Sequence, residues 1–123
     1  MGAGVSVAAG QGFSTAERVR TRAEIQQVFE TGTRYSSKGM RIHVKPNALS
    51  VSRAVFVPVR AYPSAVARNR ARRLLRECWR LGKASIRQGY DVAVVLYPGF
   101  DSFAERGSQL RRLLRQAGLM AVQ

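Results

Sequence analysis

The segment Ala65–Lys83 constrains this chain more than any other. Projected on a helical wheel at about 100° per residue, Ala71, Leu74, Leu75, Cys78, Leu81 and Gly82 fall within an arc of roughly 120°. Arg68, Asn69, Arg72, Arg73, Arg76 and Arg80 fall within a separate arc of roughly 140°, with Arg70 and Glu77 on the flank beyond Arg73. One face therefore needs a hydrophobic layer to lie on, and the opposite face is almost pure guanidinium. Trp79 lies at the border, placed either to cap the core or to stack on a base. A solubilising face normally mixes signs, whereas this arc holds no acid. The row Arg68–Arg72–Arg76–Arg80 sets like charges at i,i+4, each pair costing a few tenths of a kcal/mol on an isolated helix. That repulsion makes physical sense with a polyanion against the face.

Charge points the same way. The 123 residues carry 21 Lys and Arg against 7 acids, a formal charge of +14. Arginine predominates, and its planar fork suits phosphate and base stacking. Other classes recede. One cysteine, Cys78, cannot make an internal disulfide, and with one histidine it cannot make a His/Cys zinc site. Cysteine usage fits a reducing cytoplasm, and no apolar run reaches membrane-spanning length. The seven acids, Glu17, Glu24, Glu30, Glu77, Asp91, Asp101 and Glu105, show no spacing that suggests a two-metal nuclease cluster. A lone strand histidine such as His43 is more often a packing or surface residue than a general base. Cys78 lies on the apolar arc and reads as inert core.

Along the chain, residues 1–13 are small and polar and read as a flexible tail; the match of Met1–Ser6 to a myristoylation pattern is taken as chance. Residues 14–123 read as a single RNA-binding domain. Thr21-Arg22-Ala23-Glu24 is a capping box opening a helix with Ile25, Val28 and Phe29 on one face, and Gly32 is expected to end it in the left-handed conformation. Met40, Ile42 and Val44 alternate with Arg41, His43 and Lys45, which predicts a strand with one basic face. Pro46-Asn47 starts a turn. An apolar strand follows near residues 54–59, and Pro58 makes it an edge or a bulge. After the long helix, Gly89–Leu96 fits a strand buried on both faces. Ser102–Glu105 is a second capping box, opening a helix with Leu110, Leu113, Leu114 and Ala117 on one side and Gly118 as its stop. The order is α-β-β-α-β-α, an α/β domain.

A helix-turn-helix DNA reader needs a short helix before its recognition helix. Val57–Ser64 contains two prolines and reads as strand and loop, so structured RNA recognised by shape fits better. A ribosomal or general structured-RNA-binding protein without enzymatic role, and a DNA-binding architectural protein, stay open as alternatives from these residues.

The run Ala65-Val66-Ala67-Arg68-Asn69-Arg70-Ala71-Arg72-Arg73-Leu74-Leu75-Arg76-Glu77 resembles the Arg-Asn-Arg signature of the bacterial ribonuclease P protein family. Arg18–Gly32, Gly89-Tyr90-Asp91-Val92 and Leu110–Gly118 are similar to other segments of that family, in the same order. The resemblance implies a two-layer α/β sandwich with a left-handed β-α-β crossover, against the usual hand. It implies a cofactor protein for a catalytic RNA that removes the 5′ leader from precursor tRNA. Neither a membrane nor a small-molecule cofactor is expected. Mg²⁺ is expected on the partner RNA rather than at a protein site, the protein improving substrate binding and lowering the Mg²⁺ requirement. By position, Arg68, Asn69, Arg70, Arg72, Arg73 and Arg76 inherit contact with the catalytic RNA, and Arg80 extends their face. Ile25, Phe29, His43 and Arg60 match a cleft that guides the single-stranded leader. The chain departs from the family pattern at Val59-Arg60-Ala61-Tyr62-Pro63, where Ser-Lys-Lys and a Gly are usual. It also departs at Ile25 and His43, where aromatic residues are common, and at Ala71, where a larger aliphatic is usual.

Overall fold

The computed structural model describes residue 18 and residues 21–121; the expected tail, residues 1–13, lies outside them. The long helix forms where its two faces demand. Ser64 caps it, its hydroxyl accepting from the Ala67 N–H at 3.1 Å, and the helix runs Ala65–Gly82 (α2). Ahead of it come α1 (Arg22–Thr31), β1 (Thr33–Ser37), β2 (Met40–Pro46) and β3 (Arg53–Pro58). After it come a short 3₁₀ turn (Lys83–Ser85), β4 (Tyr90–Leu96) and α3 (Phe103–Gln116).

The α/β class stands, and the element order gains a strand that the residues did not announce. β1 reads Thr-Arg-Tyr-Ser-Ser; of these, Tyr35 and Ser37 are half-buried and the others exposed. A strand this polar exists because β2 pairs with it, Tyr35 opposite Ile42 and Arg34 opposite His43. The sheet order is β1-β2-β4-β3, antiparallel except for the parallel pair β3–β4, which α2 connects. Pro58 sits at the end of the edge strand β3, where a missing N–H costs no ladder bond.

Register assigns the faces. Met40, Ile42 and Val44 stand level with Leu96, Val94 and Val92, and Phe56 with Val94. These residues share one core with Ala71, Leu75, Cys78 and Trp79 of α2 and Leu110, Leu113 and Leu114 of α3. This is the two-layer sandwich. Trp79 belongs to it, 1% exposed and edge-on to Phe56, so it caps the core and cannot stack on a base. Leu81 departs from the expected apolar arc: it is 58% exposed, on the last turn of α2.

The other sheet face carries Arg34, Arg41, His43, Ala93 and Val95, and α1 lies across part of it. Val28, Ala93 and Val95 are buried there, outside the main core. β4 is thus buried on both sides, as its continuous apolar run requires. The basic face of β2 is correspondingly not all solvent: His43 is buried beneath α1.

The Thr21–Glu24 capping box forms in full. Gly32, however, is extended (φ −77°, ψ 157°) rather than left-handed. It is needed for close approach: a Cβ there would meet the Val28 carbonyl oxygen at 2.5 Å and that of Val44 at 3.0 Å. Ser102 caps α3 by accepting from the Glu105 N–H, but the Glu105 carboxylate meets the Ser102 hydroxyl rather than the backbone. Gly118 ends the α3 segment with a φ of 78°.

Candidate nucleic-acid interface

The cationic face of α2 is built as the wheel requires, with one member drawn aside. Asn69, Arg70 and Arg73 are exposed; Arg68, Arg72, Arg76 and Arg80 are half-buried along their stems. Arg72 donates to the Asn69 side-chain oxygen at 2.7 Å, which aligns two neighbouring polar groups on the surface. Arg68 reaches back to the Tyr62 carbonyl at 3.4 Å, tying the start of the helix to the loop before it. Arg70 and Arg73 form no ion pair among the described residues. Arg80 differs: it is salt-bridged to Glu77, its Nε donating at 3.0 Å, so it belongs to the neutralised edge of the face.

Arg76 concentrates the unmet charge. Its Nε is buried and has no partner among the described residues. Burial, then the neighbouring guanidinium groups of Arg18, Arg72 and Arg73, pull its pKa below the ordinary arginine value. A cation held among cations with an unfilled donor is stabilised by an anion, and a phosphate oxygen supplies both charge and acceptor.

The second group of sequence-derived residues lies on the opposite sheet face. Ile25 and Phe29, one helical turn apart on α1, are half-buried against it. The Phe29 and His43 rings pack edge to face, centroids 4.7 Å apart. Arg41 Nε donates to His43 Nε2 at 3.0 Å, which makes Nε2 the acceptor and leaves the proton on Nδ1, a buried atom with no partner among the described residues. Burial first, then Arg41 and Arg34, push the His43 pKa down. Neutral imidazole is the favoured form. Arg60 does not join this cluster: it is exposed in the turn after β3, and no hydrogen bond links it to Phe29 or His43 among the described residues.

Several residues were missed by sequence reasoning. Arg41 also donates to the Tyr97 hydroxyl at 2.9 Å, extending the cluster along the sheet. Arg53 grips Asp91 through two bonds of 2.8 and 2.7 Å and Glu24 at 3.2 Å, fastening the first turn of α1 to β3 and β4. Arg106 is fully buried. It donates to Asp101 at 2.9 Å, the Gly39 carbonyl at 2.8 Å, the Tyr62 hydroxyl at 3.1 Å and the Tyr97 carbonyl. Burial, then the bond to Asp101, raises the Tyr62 pKa to about 12. The only sequence signal for these pairs was an excess of arginine; which acid each one meets is set by how the strands and loops come together.

Four of the carboxylates are consequently spent on ion pairs. Glu24 and Asp91 hold Arg53, Glu77 holds Arg80, and Asp101 holds Arg106. Among the described residues no three His, Cys, Asp or Glu side chains gather as a metal site. Burial raises the Cys78 thiol pKa, opposite to what a nucleophile needs.

An arginine row on one helix, and Phe29, His43 and Arg41 clustered on the far side of the sheet, make this an α/β protein suited to a polyanionic partner. A ribonuclease P family profile matches residues 13–118. The chain is 36% identical over 112 residues to the ribonuclease P protein component of Chloroflexus aggregans, covering 85% of this chain and 80% of that one. It is 32% identical over 106 residues to that of Syntrophomonas wolfei, covering 85% and 89%. The solved ribonuclease P protein from Thermotoga maritima superposes with a TM-score of 0.74 at 25% identity, over 81% of this chain and 96% of that one. The chain belongs to the ribonuclease P family, as a protein component of that endoribonuclease.

Proposed function

We propose that the α2 face, Arg68, Asn69, Arg70, Arg72, Arg73 and Arg76, docks on the catalytic RNA of ribonuclease P, while the groove between α1 and the sheet holds the single-stranded 5′ leader of precursor tRNA. The observation that carries this reading is the partnerless, desolvated Arg76 Nε at the centre of an acid-free arginine row. A phosphate oxygen would supply the acceptor it lacks. Arg80, paired with Glu77, contributes charge at the edge.

The two surfaces divide the labour. The rigid helix brings cations to a crowded polyanion, which lowers the repulsion that folded RNA otherwise needs Mg²⁺ to screen. The groove adds contacts available to a precursor and not to mature tRNA, so it raises substrate affinity without rewarding product. Phosphodiester hydrolysis itself falls to Mg²⁺ held by the RNA; four of the carboxylates, Glu24, Glu77, Asp91 and Asp101, pair with arginines instead of converging on a common point. The cytoplasm is the compartment where such an assembly works. No helix among the described residues is long and apolar enough to cross a membrane.

Reconstitution tests this. Purified protein added to its catalytic RNA at limiting Mg²⁺ is expected to raise the rate of precursor-tRNA cleavage, and Phe29→Ala to weaken binding of substrates with leaders more than of mature tRNA. Stimulation absent at every salt concentration would overturn the assignment. Equal losses on both substrates would remove the leader groove from it.

A further inference from the structure

We propose that Tyr97, held by Arg41, is a second base platform in the groove, taking a leader nucleotide different from the one that meets Phe29. This deepens the leader assignment and rests on it.

Tyr97 follows β4, and its N–H continues the ladder by donating to the Gly39 carbonyl at 3.1 Å. Alternation along β4 therefore puts its side chain on the same face as Ala93 and Val95, the face opposite α2. Ala93 stands level with His43, and Val95 level with Arg41. Successive rows on one face are two residues apart, about 7 Å along the strand. The Tyr97 ring leans back to bring its hydroxyl 2.9 Å from Arg41 Nη1, while Arg41 Nε bonds His43 at 3.0 Å. One guanidinium thus braces two rings at separate levels of one groove. The offset between rows is comparable with the reach from one base to its neighbour in an unstacked single strand.

Accessibility supports the role. Tyr97 is 36% exposed, among the few large apolar side chains left to solvent. Its position is nevertheless fixed, by the Arg41 bond at the hydroxyl and by Arg106 at its own carbonyl. A tyrosine that is exposed yet tied at its hydroxyl, on a backbone anchored by Arg106, has given up part of the rotamer freedom that stacking would otherwise cost. Arg41 Nη2 makes no hydrogen bond among the described residues and is left for a leader phosphate or base edge. Aromatic stacking tolerates any base, so the platform sets how many leader nucleotides are gripped more than which ones.

The test uses the assembled protein–RNA enzyme and precursor tRNAs in which each leader nucleotide in turn is made abasic. With the intact leader, Tyr97→Ala is expected to lower affinity by about tenfold, the size of one stacked base. It should abolish sensitivity to an abasic site at one leader position, and Phe29→Ala should do so at another. Tyr97→Phe keeps the ring, so it should retain abasic sensitivity at the first position with a smaller loss. Mature tRNA should bind all three variants as it binds the parent. If Tyr97→Ala leaves the abasic profile unchanged while Phe29→Ala alters it, the second platform is refuted and the groove survives. If neither alters it, the groove fails with it. An equal affinity loss for mature tRNA would likewise remove Tyr97 from the leader path. An unchanged thermal midpoint for Tyr97→Ala separates these outcomes from misfolding.

Discussion

Arg106→Met should be the most destabilising single change in the polar structure of this protein. The guanidinium is fully buried, yet reaches five acceptors on three loops and its own helix. Methionine fills a similar volume and donates nothing. The acceptors left behind are not equally harmed. The Gly39 carbonyl keeps its bond from the Tyr97 N–H, and Asp101, 31% exposed, keeps Tyr62 and gains water. The Tyr97 carbonyl loses a charged donor. One strongly unsatisfied carbonyl costs about 1–3 kcal/mol, and loss of a buried charged partner about 3–5 kcal/mol when nothing compensates. Hydration of Asp101 puts this site near the lower end, about 3 kcal/mol, against a total of roughly 5–15 for a domain. At this size the midpoint should fall by roughly 12–20 °C. Thermal melts and urea titrations followed by circular dichroism measure both quantities, with an unchanged urea slope showing that the folded and unfolded states stay comparable. The surface pair Glu77–Arg80 provides the contrast, since Arg80→Ala should barely move the midpoint. A loss under about 1 kcal/mol for Arg106→Met would mean that the guanidinium is not a buried hub, because exposed ion pairs yield that much. The loop Val59–Ser64, tied to Arg106 through Tyr62, connects Arg60 to the start of α2. The variant should therefore also bind catalytic RNA less tightly at temperatures where it remains folded.

Removing Arg68 and Arg72 together should weaken RNA binding and flatten the slope of log K against log salt by roughly 0.7–0.9 for each phosphate no longer neutralised; an unchanged slope would place the RNA elsewhere. His43 has a folded pKa below its unfolded value of about 6.5, so its contribution to stability is present above that pH and is lost as pH falls through the folded pKa. The urea midpoint should drop between pH 7 and pH 5, and His43→Gln should drop less over the same range. Gly39→Ala should destabilise by about 1–3 kcal/mol, read by thermal unfolding, because the residue sits at φ 87° and a Cβ would overlap the Phe100 ring.

Features that depend on near neighbours in sequence were readable in advance. The two faces of α2, the Thr21–Glu24 capping box, the Ser102 cap, the buried run of β4 and the edge position forced on β3 by Pro58 all follow from local periodicity or local chemistry. β1 was not readable, because its polar residues owe their conformation to β2. Gly32 was given the wrong reason: a glycine after a helix usually signals a left-handed turn, but here it makes room for the Val44 carbonyl. Leu81 obeyed the wheel and still ended in solvent, since a wheel reports direction around a helix and not how far the partner layer extends.

Of the residues assigned to the leader cleft, Phe29 and His43 meet, but Arg60 lies apart, while Arg41 and Tyr97 join the cluster unannounced. Arg41 and His43 are close in the chain, whereas Tyr97 comes to them only through the β2–β4 register and the ladder bond beyond it. The amino-acid order by itself determined that one helix must be half core and half cation, and hence that the protein binds a polyanion. Tertiary structure decided which arginines remain available to it. Arg53, Arg80 and Arg106 are taken by carboxylates, while Arg70 and Arg73 make no ion pair among the described residues. An ion pair forms over a few ångströms, and Arg53 comes that close to Glu24 and Asp91, 29 and 38 residues away in the chain, only when the sheet closes.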